Sequence, residues 1–361
     1  MRAKIFSHIF RYFLVTTNLL SVLLLVASSY SDRVPPEKVL FFSYLGLLFP
    51  FICLLNLCFI LYWIFLGQWK YLLIGLCAFL VCWKPVKNYF PVHLPSPPVR
   101  EDVVKLLTYN VMGFTGKDGA SYKILRYIAD SQADIVCLQE YLAGRSGSAL
   151  TAREIDEALR MYPYSSVIYL KTFGWGLAVY SKYPITASRK VEYFSENNGS
   201  SVHEIAIGGK TLTLINNHLE SFKLTSQDKE HYGDFLKATG AESFGHLRNT
   251  IQRKLGPAFR IRAGQARVVA EEVRKSTSDY LLVCGDFNDT PVSYTHRTMQ
   301  GELQDAFAHS GTGLGITYNR NYFWFRIDYI LYSPNMEAMN CTVDPLNYSD
   351  HYPVWCYLKL N

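Results

Sequence analysis

Four short polar motifs close what read as buried strands: T-Y-N-V at Asn110, C-L-Q-E at Glu140, G-D-F-N-D at Asp286, and S-D-H-Y-P-V at Asp350 and His351. Each sets a carboxylate, amide or imidazole where an apolar run stops. At that point a sheet can offer polar groups to a shared pocket while its strands stay in the core. The chemistry such a set suits is phosphoester cleavage. A phosphodiester resists hydrolysis because its anionic oxygens repel a nucleophile and its alkoxide leaves poorly, so a catalyst supplies a cation, a base for water and donors for the phosphoryl oxygens. The hard oxygens of Glu, Asp and Asn suit Mg2+, with Mn2+ as a substitute.

Taken singly, the motifs leave alternatives open. Glu140 and Asn110 each end an apolar strand and would be ordinary solvated groups on their own. Asp286 and Asn288 stand at i, i+2, which in an extended segment sends both to one face; an Asx-turn closing the strand is the competing reading. Asp350-His351 fits either a ligand beside a phosphate-contacting imidazole or a surface turn. Asp328, in R-I-D-Y-I, lies between apolar residues where an unpaired carboxylate is costly, so a partner is expected and a histidine is the attractive one. His218, in N-N-H-L-E, fits a structural role as well as a catalytic one. No Walker-type loop, G-x-G-x-x-G or serine-hydrolase elbow is present.

The elements that must carry these residues alternate. Val103 to Tyr109 reads as strand, Ser121 to Ser131 as helix, Asp134 to Leu138 as buried strand and Ile155 to Met161 as helix. Short strands follow at 166–170, 176–181, 202–207 and 211–216, and later at 281–284, 327–332 and 352–360. Between Leu224 and Lys275 the spacing is helical and charged, with Arg248, Arg253, Lys254, Arg260, Arg262 and Arg267; this reads as a phosphate-facing arm or as a solvated helix pair. There is no internal sequence repeat.

The first quarter of the 361-residue chain differs. An apolar run spans roughly Tyr12 to Tyr30, and between Val39 and Trp83 the sole charged residue is Lys70. Runs near ~20 apolar residues can cross a bilayer. The polar break Gly67-Gln68-Trp69-Lys70 divides the second tract, so residues 1–83 read as an anchor of about three spans. A cleaved signal is the alternative for the first run. The prolines at 85, 91, 95, 97 and 98 make 84–99 an extended, stiff linker, and 100–361 the catalytic domain. The basic N-terminus places that domain outside the cytoplasm, in a plasma (inner) membrane setting. Of 36 Lys/Arg and 30 Asp/Glu, eight and two precede Arg100, so the remainder carries 28 of each. A near-neutral domain argues against a general nucleic-acid grip. The eight cysteines contain no C-x-x-C pair, which argues against a zinc site or disulfide framework.

In order and spacing, T-Y-N-V, C-L-Q-E, G-L-A-V-Y-S-K-Y-P-I, N-N-H-L-E, G-D-F-N-D, R-I-D-Y-I and S-D-H-Y-P-V resemble the endonuclease/exonuclease/phosphatase superfamily. That group includes pancreatic-type deoxyribonuclease, apurinic-site endonucleases, neutral sphingomyelinases and inositol-polyphosphate 5-phosphatases. The resemblance, from about Val103 onward, implies an α/β fold: a four-layer α/β/β/α sandwich of two mixed sheets, here preceded by transmembrane helices. It implies that Glu140 holds magnesium with Asn110 close by and Asp350 auxiliary. Asp286 would activate or orient the attacking water, Asn288, His218 and Asn110 would contact phosphate, and Asp328 would orient His351 toward the phosphoryl oxygens or leaving group. Met112 departs from the acidic residue of apurinic-site nucleases, and no acidic partner for His218 is evident.

The sequence thus describes a membrane-anchored, metal-dependent phosphoesterase. The expected partners are the bilayer and a phosphoester, a lipid headgroup or a nucleic acid, with no obligate protein partner. A tethered nuclease and a catalytically silent phospholigand-binding protein are the alternatives.

Overall fold

The computed structural model describes residues 2–96, 103–115, 119–144, 149–170, 174–195, 197–223, 251–320 and 323–361. The start of the Arg-rich stretch, with Arg248, and Pro97 to Val99 of the expected linker lie outside them. Contacts divide the chain into two compact units, Met1–Phe90 with Thr290–Arg297, and Pro91–Asp289 with Thr298–Asn361.

The first unit contains helices α1 (Arg2–Ser29), α2 (Phe41–Phe65), α3 (Trp69–Val81) and α4 (Trp83–Tyr89). His8–Ser29 of α1 and the whole of α2 are long and apolar enough to cross a membrane; α3 and α4, bent by 70°, make a third such segment if taken together. Polar side chains in the α1–α2 interface pair with each other and with the backbone. Trp63 Nε1 donates to Asn18 Oδ1 at 2.8 Å, and Asn56 Nδ2 donates to the Ser21 carbonyl at 3.0 Å. Such pairing suits helices whose surroundings offer no water.

The expected extended link is helical at its start. Pro85 is the third residue of α4, within the first turn, where a missing N–H costs nothing because it would have no intrahelical partner. Further on, Pro91–Ser96 belongs to the second unit and is tied into it. His93 N donates to Thr312 Oγ1 at 3.0 Å, and Ser96 N donates to Asn340 Oδ1 at 2.8 Å.

The second unit holds two six-stranded mixed sheets. One runs β13-β14-β1-β2-β4-β3 and the other β5-β6-β7-β8-β12-β9, with a separate β10-β11 hairpin. The strands are β1 (Val103–Asn110), β2 (Ile135–Tyr141), β3 (Tyr164–Tyr169), β4 (Gly176–Ser181), β5 (Ile185–Lys190), β6 (Gly199–Ile207), β7 (Lys210–His218), β8 (Tyr280–Asp286), β9 (Gln304–Asp305), β10 (Tyr318–Arg320), β11 (Phe323–Phe325), β12 (Asp328–Tyr332), β13 (Met336–Val343) and β14 (Val354–Leu360). The helices are α5 (Ala120–Asp130), α6 (Ala152–Ala158), α7 (Gly256–Lys275) and α9 (Ala306–Ser310), while α8 (Tyr294–Gln300) begins in the first unit and ends in the second.

Alternation along the strands builds the layers. Leu106, Cys137, Leu214, Leu282, Cys284 and Ile330 meet in the core between the sheets. The opposite faces bury Leu107, Val136 and Leu138 with Ile124, Ile128 and Ile155 of α5 and α6, and Ile215 and Val283 with Ala266 and Val269 of α7. Helices therefore cover both outer faces, as the four-layer expectation requires. Each sheet also contains one parallel pair, β1/β2 and β7/β8. Parallel neighbours need a crossover, supplied by α5 in the first case and by the segment containing α7 in the second.

Candidate active site

The C-terminal ends of those two parallel pairs converge. On β1 the inward positions read Leu106, Thr108, Asn110; on β7, Leu212, Leu214, Asn216, His218; on β8, Leu282, Cys284, Asp286. The apolar core thus gives way to an amide layer and then to titratable groups. In the amide layer Gln139 Nε2 donates to Asn216 Oδ1 at 2.7 Å and to Thr108 Oγ1 at 3.0 Å, tying the two sheets together beneath the site.

Register fixes one wall. His218 on β7 and Asp328 on β12 both stand opposite Asp286 on β8. Gly285 is indispensable there: its φ is +114°, and a Cβ would sit 2.1 Å from the Asn217 carbonyl oxygen. Glu140 reaches the site by another device. Leu138 and Tyr141 both face the outer layer, a spacing a regular strand forbids; a bulge between them, with Glu140 at φ +52°, turns the carboxylate inward.

One amide gathers the carboxylates. Asn110 Nδ2 lies 3.2 Å from Glu140 Oε1 and 3.2 Å from Asp286 Oδ2. Its oxygen accepts from Met112 N at 3.1 Å, so Asn110 turns donors toward the site and its Oδ1 is engaged elsewhere. His218 Nε2 stands 3.6 Å from Glu140 Oε1 and 3.7 Å from Asp286 Oδ2. His351 Nδ1 is 2.9 Å from Asp328 Oδ2, while its Nε2 is 3.6 Å from Asp286 Oδ2. Asp328 therefore has the histidine partner that its apolar setting demands.

Asn288 sits differently from the extended expectation. Its φ is +52°, its N–H donates to Asp286 Oδ1 at 2.8 Å, and its side chain donates to the Leu219 carbonyl at 2.9 Å. The Asx-turn describes this segment, and the amide braces the loop after His218. Asp350 accepts from Ser349 Oγ at 3.3 Å and acts on Glu140 through its charge.

The two imidazoles carry opposite charge states. Burial, with the His351 charge added, depresses His218 to about 3, so it is neutral. Burial also opposes charge on His351, but Asp328, Asp286 and Asp350 outweigh it and hold the imidazolium well above the usual range. Burial and the neighbouring Asp350 push Glu140 up to about 8, and burial with Asp328 raises Asp286. Two carboxylates forced toward neutrality at one nitrogen form an oxygen donor set that a divalent cation would return to the ionised state. Asp286, Asp328 and His351 also offer ligand atoms within 4.8 Å of one another. Because His351 is engaged with Asp328, the Glu140–Asp286 side is the better cation position.

Several supporting residues carry little or no sequence signal. Thr317 Oγ1 accepts from the backbone N–H of Ile327 at 3.0 Å and of Asp328 at 3.1 Å. Arg262, within the expected arm, is fully buried on α7. Its Nη1 donates to the Glu220 carbonyl at 2.7 Å, its Nε donates to Asp289 Oδ2 at 3.3 Å, and Gln265 accepts from Glu220 N at 2.8 Å. These two residues bind the loop after His218 to the loop after Asp286. Their i, i+3 spacing on a helix was the available clue; the distant loops they join were not.

A model of the endonuclease/exonuclease/phosphatase family matches residues 107–351. The chain belongs to this family. Its members are typically hydrolases of phosphoester bonds. A second model, for a domain of unknown function (DUF8431), matches residues 11–89. Among solved structures, a family member from Bacteroides vulgatus is 17% identical, covering 72% of this chain and 99% of that one with a TM-score of 0.51. The human nocturnin catalytic domain with bound sulfate is 16% identical over 73% and 96%, TM-score 0.51. TDP2 from C. elegans is 15% identical over 73% and 77%, TM-score 0.51. At these identities the likeness shows the shared fold. No curated protein matches the chain.

Proposed function

We propose that the protein is a membrane-anchored, Mg2+-dependent phosphoesterase acting on a lipid-type or small phosphoester. The observation that carries this reading is the meeting of Asn110, Glu140, His218 and Asp286, one from each central strand, with the Asp328–His351 pair. Glu140 and Asp286 would hold the cation, with Asp350 as auxiliary charge. When bound, the cation would neutralise phosphoryl charge and favour ionised oxygen nucleophiles. Asp286, ionised, would orient the attacking water and accept its proton. His351 donates from Nε2 toward a phosphoryl oxygen while Asp328 fixes Nδ1. His218, neutral, hydrogen-bonds the phosphate, and Asn110 keeps both carboxylates in register. Asn288 braces the loop behind them.

The apolar helices support anchoring, and the near-neutral domain favours a lipid-type substrate over nucleic acid. The test is product release by the full chain from sphingomyelin vesicles, phosphoinositide vesicles and plasmid DNA with Mg2+. Release from a vesicle substrate is expected. Cleavage of DNA alone, with the steep salt dependence of phosphate contacts, would make the protein a tethered nuclease.

A further inference from the structure

Beside the site, and within the second unit, lies a cavity of about 790 Å³, inside the ~300–1,000 Å³ range of small-ligand sites. Phe307, Ile316, Trp324, Val343, Tyr352 and Trp355 form much of its wall. None of its described lining residues is Asp, Glu, Lys or Arg. Two of its lining residues, Ile316 and Tyr352, are chain neighbours of groups in or bonded to the Asp328–His351 pair. Tyr352 follows His351, Ile316 precedes the Thr317 that accepts from Asp328 N, and Tyr352 N donates to the Thr317 carbonyl at 2.6 Å.

We propose that this cavity is a subsite for an alkyl or acyl chain of the phosphoester, making the substrate a lipid. The inference rests on the phosphoesterase reading above and extends it. A nucleic-acid chain running from the site would bring further phosphates against a wall whose described lining residues include no lysine or arginine, where each would lose hydration uncompensated. An alkyl chain carries no charge to desolvate there and gains from leaving water. Trp324, 58% exposed, is an apolar surface that such a chain would cover.

The experiment uses the full chain in amphipol with Mg2+ and alkyl p-nitrophenyl phosphates of increasing chain length, below their micelle concentrations. Only the alkyl group changes. Wild-type kcat/KM should rise with length, by up to about 4-fold per fully buried methylene. Thr342→Phe, which fills the cavity, should leave methyl-ester turnover unchanged and end the rise at a shorter chain. Trp324→Ala, at an exposed position, should flatten the rise without loss of folding. In parallel, a brominated dodecyl phosphonate should quench tryptophan fluorescence of the Asp286→Asn protein, and Thr342→Phe added to it should abolish the quenching.

A rate independent of chain length, or the same slope in Thr342→Phe, would overturn the subsite. So would preferential cleavage of an oligonucleotide impaired by Thr342→Phe, which would point to a base in the cavity. If Asp286→Asn and wild type cleave the methyl ester equally, the phosphoesterase reading fails instead, and the quenching result alone then decides whether the cavity takes an alkyl chain.

Discussion

His351 and His218 are the same side chain in opposite states, and the difference is set by what faces them. Asp328 at 2.9 Å holds His351 protonated, whereas His218 has no comparable carboxylate contact and is neutral. Replacing Asp328 by Asn removes that support, so His351 loses its proton at lower pH. The expected result is a kcat reduced on the order of 10²-fold, with the basic limb of the pH–rate profile moved to lower pH; an unmoved limb in a folded variant would show that His351 does not act as imidazolium. Most of these residues were legible in the sequence because each ends an apolar strand and its motif keeps its place in the order. The turn at Asn288 is one of the two readings its motif allows. The occupation of the Asn110 oxygen by Met112 N follows from backbone angles that spacing does not encode.

At the level of elements, the site depends on how the sheets are joined beneath it. Gln139 was part of a visible motif, but its partner Asn216 lies on the other sheet, so their bond could not be read from either segment. Gln139→Leu leaves Asn216 Oδ1 without its donor and should cost about 1–3 kcal/mol, measured as a lowered denaturation midpoint. The α7 clamp is a second such case. Arg262→Met should slow turnover more than it weakens Mg2+ binding, because Arg262 ties the loops following His218 and Asp286 while Glu140 stands on the other sheet; calorimetric Mg2+ titration beside kcat separates the two effects. On β6, His203 is fully buried between Ser188 and Ser201, and burial depresses it to about 4. The unfolded chain, with a histidine near ~6.5, then binds the extra proton first. Stability from this residue is therefore fully present above about pH 6.5 and is lost as pH falls toward 4, amounting to roughly 2 kcal/mol by pH 5. His203→Gln should flatten the fall in thermal midpoint between pH 7 and pH 5.

For the whole molecule, composition already separated the apolar first quarter from the charged remainder. The link between them is helical at its start, against the extended expectation, because a proline in a first helical turn removes no bond. Hydropathy also fixed the third apolar segment only loosely, since α3 and α4 form one such stretch only when joined across a 70° bend. If the apolar helices are an anchor, the full chain should stay with the membrane pellet after alkaline carbonate washing. The central claim is that a divalent cation and the Asp286 carboxylate act together on a phosphoester. Its most direct test is turnover of bis(p-nitrophenyl) phosphate by the full chain as Mg2+ is titrated from an EDTA-stripped state, for wild type and Asp286→Asn. Saturable, Mg2+-dependent turnover in wild type and its near-complete loss in a folded Asp286→Asn protein are expected; turnover that survives EDTA, or equal rates in the two proteins, would contradict the account.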